Sequence, residues 1–210
     1  MDESFRIDDY KKMMEDEIRM KAYQKAIGAC CPGKTVCEIG VGLGPLSLMA
    51  LKAGAVRVYG IERTRPLLEI ATRIIRSNGF DETRFIPLHG MSTDVVLPEK
   101  VDLIISETLD NLGVGENTIH FMQDARRRFL EPGGSFLPRT LDCYIALGNP
   151  EGYRQELQFW TEKLEHAYGL DYRKMGEALS GTVHVFTVRP EELHSAWRPV
   201  SYTHLRAHET

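Results

Sequence analysis

The sequence predicts an α/β protein built on a mainly parallel sheet. Short apolar runs that suit strands alternate with segments whose apolar residues recur at helical spacing. Strands and helices that alternate in this way form βαβ units, whose right-handed crossovers leave few possible topologies. After Pro138 the alternation ends, and the remaining segments predict the start of a second, β-rich unit.

Each element follows from its own residues. Asp8 and Asp9 can cap a first helix that is expected to run to about Gly28. Pro45 suits the first turn of a helix. With glycine, asparagine and proline as boundary residues, the expected strands lie at 34–39, 56–61, 84–88 and 101–106, with a fifth beginning at 135–137. The expected helices between them lie at 45–52, about 66–77 and about 117–130. The second unit is expected to contain a strand at 141–147, a helix at 153–166 and a strand at 182–188.

Composition narrows the class of protein. The 210 residues suffice for one full domain and part of another. A net charge of −4 gives no reason to expect a nucleic acid or an anionic membrane as a partner. No apolar run reaches the ~18 residues that a membrane span needs. The four cysteines have neither metal-ligand spacing nor a disulfide framework, so we expect no metal and a cytoplasmic location.

Glycines alternate at Gly40, Gly42 and Gly44, between a predicted strand and a predicted helix. Glycine lets the backbone approach a ligand closely, and the helix that follows offers free N–H groups. Glu62 ends the next strand, where a carboxylate can hold both hydroxyls of a ribose. The dinucleotide fingerprint would need glycine at position 45, where this chain has Pro45. The loop therefore favours S-adenosylmethionine over NAD.

Two glutamates, Glu107 and Glu116, stand nine residues apart on either side of a loop that follows the strand at 101–106. In an open α/β sheet the ligand crevice lies beyond the carboxyl ends of the strands, so both acids can point into one pocket. Their charges repel without a cation between them, which makes a guanidinium or an amine the natural guest. Alternatively, Glu107 is only a polar strand end and Glu116 a helix N-terminal acid.

Together these motifs resemble those of the protein arginine methyltransferase family, from about Tyr10 to Pro199. The first helix, the glycine loop and the segments 97–107 and 124–134 carry the resemblance. It implies a Rossmann-like class I methyltransferase sheet with helices on both faces and S-adenosylmethionine as cofactor. It also implies transfer of a methyl group to a guanidino nitrogen of protein arginine.

The resemblance assigns roles to individual residues. Glu107 and Glu116 match the family's double-E loop, which holds the acceptor guanidinium, and Arg19 matches the residue that binds the cofactor carboxylate. The further cofactor contacts that it implies are Glu38, Gly40, Gly42, Gly44, Glu62, Met91 and Ser92. The chain departs from the family at Glu38, where aspartate is usual, and in the position of Tyr10, which is out of the family's register.

Some charged and aromatic residues have simpler interpretations. As an alternative to the cofactor role of Arg19, Asp16 and Arg19 only form a solvated pair on one helix face. The run Arg126 to Arg128 is likewise expected on a solvated helix face. Tyr23 is expected to serve packing.

The resemblance also divides the chain into regions. It implies a cofactor-lid helix at 1–30, an S-adenosylmethionine-binding domain at 31–138 and a partial β-barrel substrate domain at 139–199. A dimerisation arm at about 150–176 implies a homodimer. Residues 200–210 back-translate to a string that resembles a common sequencing adapter, so we expect an artefact there and a gene product that continues differently after about Pro199.

Three alternative functions stay open at this point. The acceptor could be a small amine or guanidino metabolite, because an acidic pair would hold either. The protein could bind the cofactor without catalysing transfer. An NAD-dependent oxidoreductase is the third, and it requires that a nicotinamide cofactor binds where S-adenosylmethionine does not.

Overall fold

A computed structural model describes residues 7–109, 118–141, 148–182 and 188–193 of the chain. Contacts within the chain divide these residues into two compact units, one up to residue 141 and one from residue 148. The finer domain limits at 30, 138 and 199 stay predictions.

The first unit contains a five-stranded parallel sheet with the strand order β3-β2-β1-β4-β5. The strands are β1 Thr35–Ile39, β2 Arg57–Glu62, β3 Phe85–His89, β4 Val101–Ser106 and β5 Leu130–Leu137. The order runs outward from β1 in both directions, so the chain reverses its direction of winding between β1 and β4. In open α/β sheets this switch point is where ligands bind.

The helices of this unit are α1 Ile7–Glu15, α2 Glu17–Cys30, α3 Pro45–Lys52, α4 Arg65–Ser77 and α5 Thr118–Arg128. The prediction of one helix from Asp8 to about Gly28 was wrong, because the chain leaves helical geometry at Asp16 (ψ 82°). The Asp16 carboxylate accepts a hydrogen bond from the Arg19 backbone N–H at 3.0 Å and so caps α2.

The last strand also differs from its prediction. α5 ends at Arg128, and β5 already begins at Leu130 rather than at 135. Its pairing with β4 shifts register between Val101 and Leu103, so β5 accommodates Pro132 and the glycines after it as an irregularity within the strand. The proline and glycines, which suggest a turn in the sequence, therefore form a bulge within β5, because β4 pairs with residues on both sides of them.

Helices pack on both faces of the sheet, as predicted. On one face, side chains of α2, α3 and α4 surround buried strand residues, namely Val36, Val58, Leu103 and Ile105. On the other face, Ala125 of α5 and Phe129 pack with the alternate strand residues, among them Cys37, Ile39, Tyr59, Ile61 and Ile104. The twofold alternation of side chains along each strand divides the core in this way.

The second unit is helical in its described part. It contains α6 Glu151–Gln158, a π-helical segment Phe159–Lys163, α7 Leu164–Tyr168, α8 Arg173–Leu179 and a 3₁₀ turn Pro190–Glu192. The helix predicted at 153–166 is confirmed, while α8 was not predicted. The strands predicted at 141–147 and 182–188 fall almost wholly outside the described residues. None of the helices described in either unit is long and apolar enough to cross a membrane.

Candidate active site

A cavity of about 530 Å³ opens at the carboxyl ends of β1, β2, β3 and β4, beneath α1 and α2. Eight of the predicted site residues line it, namely Arg19, Glu38, Gly40, Gly42, Glu62, Met91, Ser92 and Glu107. Gly44 is not among the lining residues, and Glu116 lies outside the described residues. The structure therefore brings together residues that are spread over 88 positions of the sequence.

Two glycines of the loop lie very close to neighbouring side chains. Gly40 has φ +80°, and a Cβ atom on it would lie 2.4 Å from the Thr108 methyl carbon. A Cβ atom on Gly42, at φ +55°, would lie 2.6 Å from a ring carbon of Tyr10. Any L side chain at either position would therefore be strained and crowded, which explains the choice of glycine.

Gly44 has a structural role in the packing of two helices. It caps α3 at φ +81°, and a Cβ atom there would lie 3.3 Å from both Ala71 and Ile75 of α4. Its missing side chain therefore allows α3 and α4 to pack closely, beside the cavity rather than in it.

Glu62 is held from both sides. Its Oε2 accepts a hydrogen bond from the Gly42 N–H at 3.0 Å, and its Oε1 accepts one from the Thr64 N–H at 2.8 Å. The side chain is only 7% exposed. Since a carboxylate oxygen has more than one acceptor site, both oxygens can still accept from a ligand hydroxyl.

Glu38 is buried beside the same loop and accepts a hydrogen bond from the Ser47 hydroxyl. Burial raises the pKa of Glu38 to about 8, with the Ser47 hydrogen bond opposing the rise and the charge of Glu62 adding to it. The cavity thus contains one acid that is largely protonated at neutral pH.

Arg19 joins the first turn of α2 to the end of β4. Its Nη1 donates to Glu107 Oε1 at 2.8 Å, and its Nε lies 3.2 Å from Asp16 Oδ2. Burial raises the pKa of Glu107, and the charge and hydrogen bond of Arg19 oppose that rise. The alternative of a merely solvated Asp16–Arg19 pair does not hold, because the fold turns Arg19 toward the cavity and Glu107.

A polar chain fixes the end of β4 behind Glu107. The Tyr23 hydroxyl donates to the Ser106 carbonyl at 3.0 Å, and the Ser106 hydroxyl donates to the Ile39 carbonyl at 3.0 Å. The Ser106 and Thr108 hydroxyls are 2.8 Å apart. Burial raises the pKa of Tyr23, so its hydroxyl stays a hydrogen-bond donor. Tyr23 thus does more than pack.

The turn after β3 forms another wall. The Gly90 N–H donates to the Glu62 carbonyl at 3.0 Å, and the Val95 N–H closes the turn on the Met91 carbonyl at 3.0 Å. Met91 is 46% exposed, whereas Ser92 is buried. Arg128 donates to the Ser92 and Val95 carbonyls, so the expectation of a wholly solvated arginine run was wrong at this position.

Sequence reasoning missed part of the lining. Thr108 and Phe121 both line the cavity, as does Tyr10, which the sequence offered only out of register. The signal for Thr108 was its place directly after Glu107, whereas no local pattern marks Phe121. Among the described residues, no group of three or more histidine, cysteine or acidic side chains could hold a metal ion.

Several known proteins similar to this chain are arginine methyltransferases. No family model matches it. It is 33% identical over 170 residues to probable protein arginine N-methyltransferase 6 of Arabidopsis thaliana, a match that covers 79% of this chain and 38% of the relative. It is 35% identical over 167 residues to protein arginine N-methyltransferase 1 of Dictyostelium discoideum, covering 77% of this chain and 47% of the relative. The chain thus spans less than half the length of these two relatives.

Solved structures agree with the sequence relatives. The fold matches a chain of the Trypanosoma brucei PRMT1 enzyme-prozyme heterotetrameric complex with AdoHcy at a TM-score of 0.78 and 26% identity, over 88% of this chain and 57% of that one. It matches Arabidopsis thaliana protein arginine methyltransferase 10 at a TM-score of 0.65 and 25% identity, over 90% of this chain and 59% of that one.

The parallel sheet, the helices on both of its faces and the cavity at its strand ends define a Rossmann-like methyltransferase domain. Within that class the chain belongs to the protein arginine N-methyltransferase family.

Proposed function

We propose that the protein is an S-adenosylmethionine-dependent N-methyltransferase that acts on a guanidino nitrogen of protein arginine. One structural observation supports the proposal independently of the similarity to known methyltransferases. Glu107, at the cavity wall, already accepts a hydrogen bond from a guanidinium, that of Arg19, at 2.8 Å. The same carboxylate has acceptor sites left for a second guanidinium, that of the substrate.

The cavity fits the cofactor. Glu62 would accept hydrogen bonds from the ribose hydroxyls. Gly40 and Gly42 line the cavity beside Thr108 and Tyr10, where a Cβ atom would clash, and their backbone would approach the cofactor. Arg19 would bind the methionyl carboxylate, while Met91 and Ser92 would contact the adenine. We further assign Glu38 to the methionyl side of the cavity and Gly44 to the shape of the loop.

The proposed methyl transfer requires mainly that the protein positions the cofactor and the guanidinium and stabilises their charges. When bound, S-adenosylmethionine supplies a methyl group on a positively charged sulfur. A guanidinium spreads its charge over three nitrogens and has a pKa above ~12, so it is a poor nucleophile. Glu107 and Glu116 would accept hydrogen bonds from two of its nitrogens and draw the positive charge toward them. The third nitrogen then carries more electron density and faces the methyl carbon.

Arg19 has a part in both halves of this site. Arg19 contacts Glu107, so a cofactor carboxylate bound by Arg19 would lie next to the acid proposed to bind the acceptor. Because Asp16 also contacts Arg19, the guanidinium stays in place between two carboxylates. We infer that Arg19 helps to set the distance between donor and acceptor.

The partners follow from the same family membership. We propose that residues 150–176 pair two subunits of a homodimer and that residues 139–199 begin a β-barrel substrate domain. Exposed aromatic and apolar side chains support the pairing, namely Phe159, Tyr168, Leu170 and Tyr172. A cytoplasmic location without nucleic-acid or membrane partners agrees with the net charge of −4.

The test compares glutamine variants of the two acids. Glu107→Gln and Glu116→Gln should each lower methyl transfer to arginine peptides by about 100-fold or more, since a neutral amide draws little charge. Binding of S-adenosylhomocysteine, measured by calorimetry, should persist. The exposed Glu131→Gln serves as a matched control and should transfer at the unchanged rate.

The choice of acceptor separates the alternatives. Transfer to free guanidino compounds or small amines but not to peptides would point to a metabolite enzyme. Cofactor binding without transfer to any acceptor would indicate a non-catalytic protein. Undiminished transfer in Glu107→Gln would overturn the role of the acid.

A further inference from the structure

Arg128, at the end of α5, makes more contacts than a surface arginine needs. Its Nε and Nη2 both contact Asp124 Oδ2, at 2.8 and 2.7 Å, which is the familiar pairing one helical turn apart. Its guanidinium also lies over the Phe129 ring, 4.6 Å from the ring centre. These contacts hold the guanidinium in one orientation.

The remaining donors of Arg128 leave the helix and reach the turn after β3. Nη1 donates to the Val95 carbonyl at 2.7 Å, and Nη2 donates to the Ser92 carbonyl. The two accepting carbonyls stand three residues apart, near the two ends of the turn from Met91 to Val95. A planar guanidinium can join both ends at once, which the single ammonium of a lysine cannot do with the same geometry.

The turn is thereby fastened at both of its sides. At one side the Gly90 N–H binds the carbonyl of Glu62, the residue assigned to the ribose. At the other side Arg128 binds two carbonyls. Met91, half-exposed in the cavity, lies between Gly90 and the anchored Ser92, which is buried.

Arg128 does not itself line the cavity, so any effect on a ligand must act through the turn. Asp124 is the charged partner that orients it, and the hydrogen bond from Arg128 holds the pKa of Asp124 below its usual range. The end of α5 is thus connected to the cavity wall by two hydrogen bonds, which Arg128 donates to the Ser92 and Val95 carbonyls.

We propose that Arg128 is a positioning residue of the adenine subsite, which sets the backbone of residues 91–95 against the base of the cofactor. The inference rests on the proposed function, because it assumes that an adenosyl cofactor occupies the cavity. Arg128 lies on the far side of the turn from the cavity. It would affect which base the cavity prefers without touching that base.

Calorimetry with S-adenosylhomocysteine tests the inference. Arg128→Ala should bind about 10-fold more weakly than the unchanged protein, because two charge-assisted hydrogen bonds to the turn are lost. Arg128→Lys should fall between the two, since it keeps the charge and one of the contacts. The neighbouring exposed Arg127→Ala is the matched control and should bind normally. Thermal melting of each variant identifies any that fails to fold.

A base-altered ligand separates positioning from general weakening. S-inosylhomocysteine, which replaces the adenine amino group by an oxygen, should bind the unchanged protein more weakly than S-adenosylhomocysteine does. In Arg128→Ala that preference should shrink, whereas a general loss of structure would weaken both ligands by the same factor. An unaltered preference in a folded Arg128→Ala variant, or in Arg128→Lys if the alanine variant does not fold, would overturn the inference. If the unchanged protein bound neither ligand, the proposed function itself would fail instead.

Discussion

At the scale of single residues, Glu38 shows how burial changes the chemistry of a side chain. The carboxyl is 1% exposed, and its hydrogen bond to Ser47 offsets only part of the cost of burying a charge. Its pKa therefore rises to about 8. In the unfolded chain the group titrates near 4.5, so the folded protein binds an extra proton between these two values.

This difference predicts a pH-dependent stability. A pKa raised by folding gives stability that is fully present below the unfolded value and is lost as the pH rises through about 8. Glu38→Gln, which keeps the acceptor for Ser47, should remove a slope of up to about 1.4 kcal/mol per pH unit from the free energy of unfolding between pH 5 and 8. Urea unfolding at several pH values measures it.

The control for this comparison is Glu131→Gln, which alters an exposed acid of the same kind. It should leave the slope as it is in the unchanged protein. If Glu38→Gln retained the full slope, another buried group would have to account for it.

At the scale of elements, the break at Asp16 determines what α2 can do. A single helix through this point would leave Asp16 as one more surface side chain. As a cap, Asp16 binds the Arg19 N–H and also contacts the Arg19 side chain. The start of the helix and the direction of a cavity residue therefore depend on one carboxylate.

Two substitutions separate these effects. Asp16→Asn keeps an oxygen for the cap and removes the charge, whereas Asp16→Ala removes both. We expect Asp16→Ala to lower the free energy of unfolding by about 1 kcal/mol and Asp16→Asn to lower it by much less. Denaturant unfolding gives both values. Equal losses in the two variants would show that the ion pair, and not the cap, stabilises this end of α2.

At the scale of the whole molecule, different measurements can follow the two compact units. The sequence has two tryptophans, and neither lies among residues 1–142. Trp160 belongs to the second unit, and the described residues of the first unit contain no tryptophan. The cavity belongs entirely to the first unit. Tryptophan fluorescence during heating therefore reports on the second unit, whereas calorimetry records the unfolding of both units.

A ligand that binds only the folded first unit should stabilise that unit selectively. At 100 times its dissociation constant, S-adenosylhomocysteine should add about 2.7 kcal/mol to the unfolding free energy of the first unit. Differential scanning calorimetry should show that transition move upward. The transition seen by tryptophan fluorescence should stay in place, and NAD should move neither.

Equal shifts in the two signals would mean that the units unfold together. A shift with NAD and none with S-adenosylhomocysteine would favour an oxidoreductase and contradict the proposed function.

Much of the first unit was predictable because its signals are local. The apolar runs of β1, β2 and β4 lie between turn-forming residues, and each strand was placed within about a residue of its observed position. The backbone requires glycine at positions 40 and 42, where φ is positive. Glu62 is the last residue of β2 and Glu107 directly follows β4, so these strands deliver them to the cavity. Residues with such local causes are visible in one sequence.

The features that were predicted wrongly depend instead on contacts with distant parts of the chain. Asp16 breaks the first helix although the apolar spacing continues through it, and β5 begins early because β4 pairs across its proline and glycines. Arg128 looked like one of three surface charges because its partners, Ser92 and Val95, lie more than 30 positions earlier. Gly44 was assigned to the ligand because its contact with α4 is not visible in the loop itself.

The sequence by itself determined the parallel sheet, the glycine loop and the acids at the strand ends, since periodicity, backbone freedom and strand direction are properties of short segments. Only the tertiary structure decided which charges meet. Arg19 contacts Glu107 across 88 positions of sequence, and Arg128 contacts the turn after β3. An ion pair or a hydrogen bond depends on distance in space, and for residues far apart in the chain the packing of helices on the sheet sets that distance.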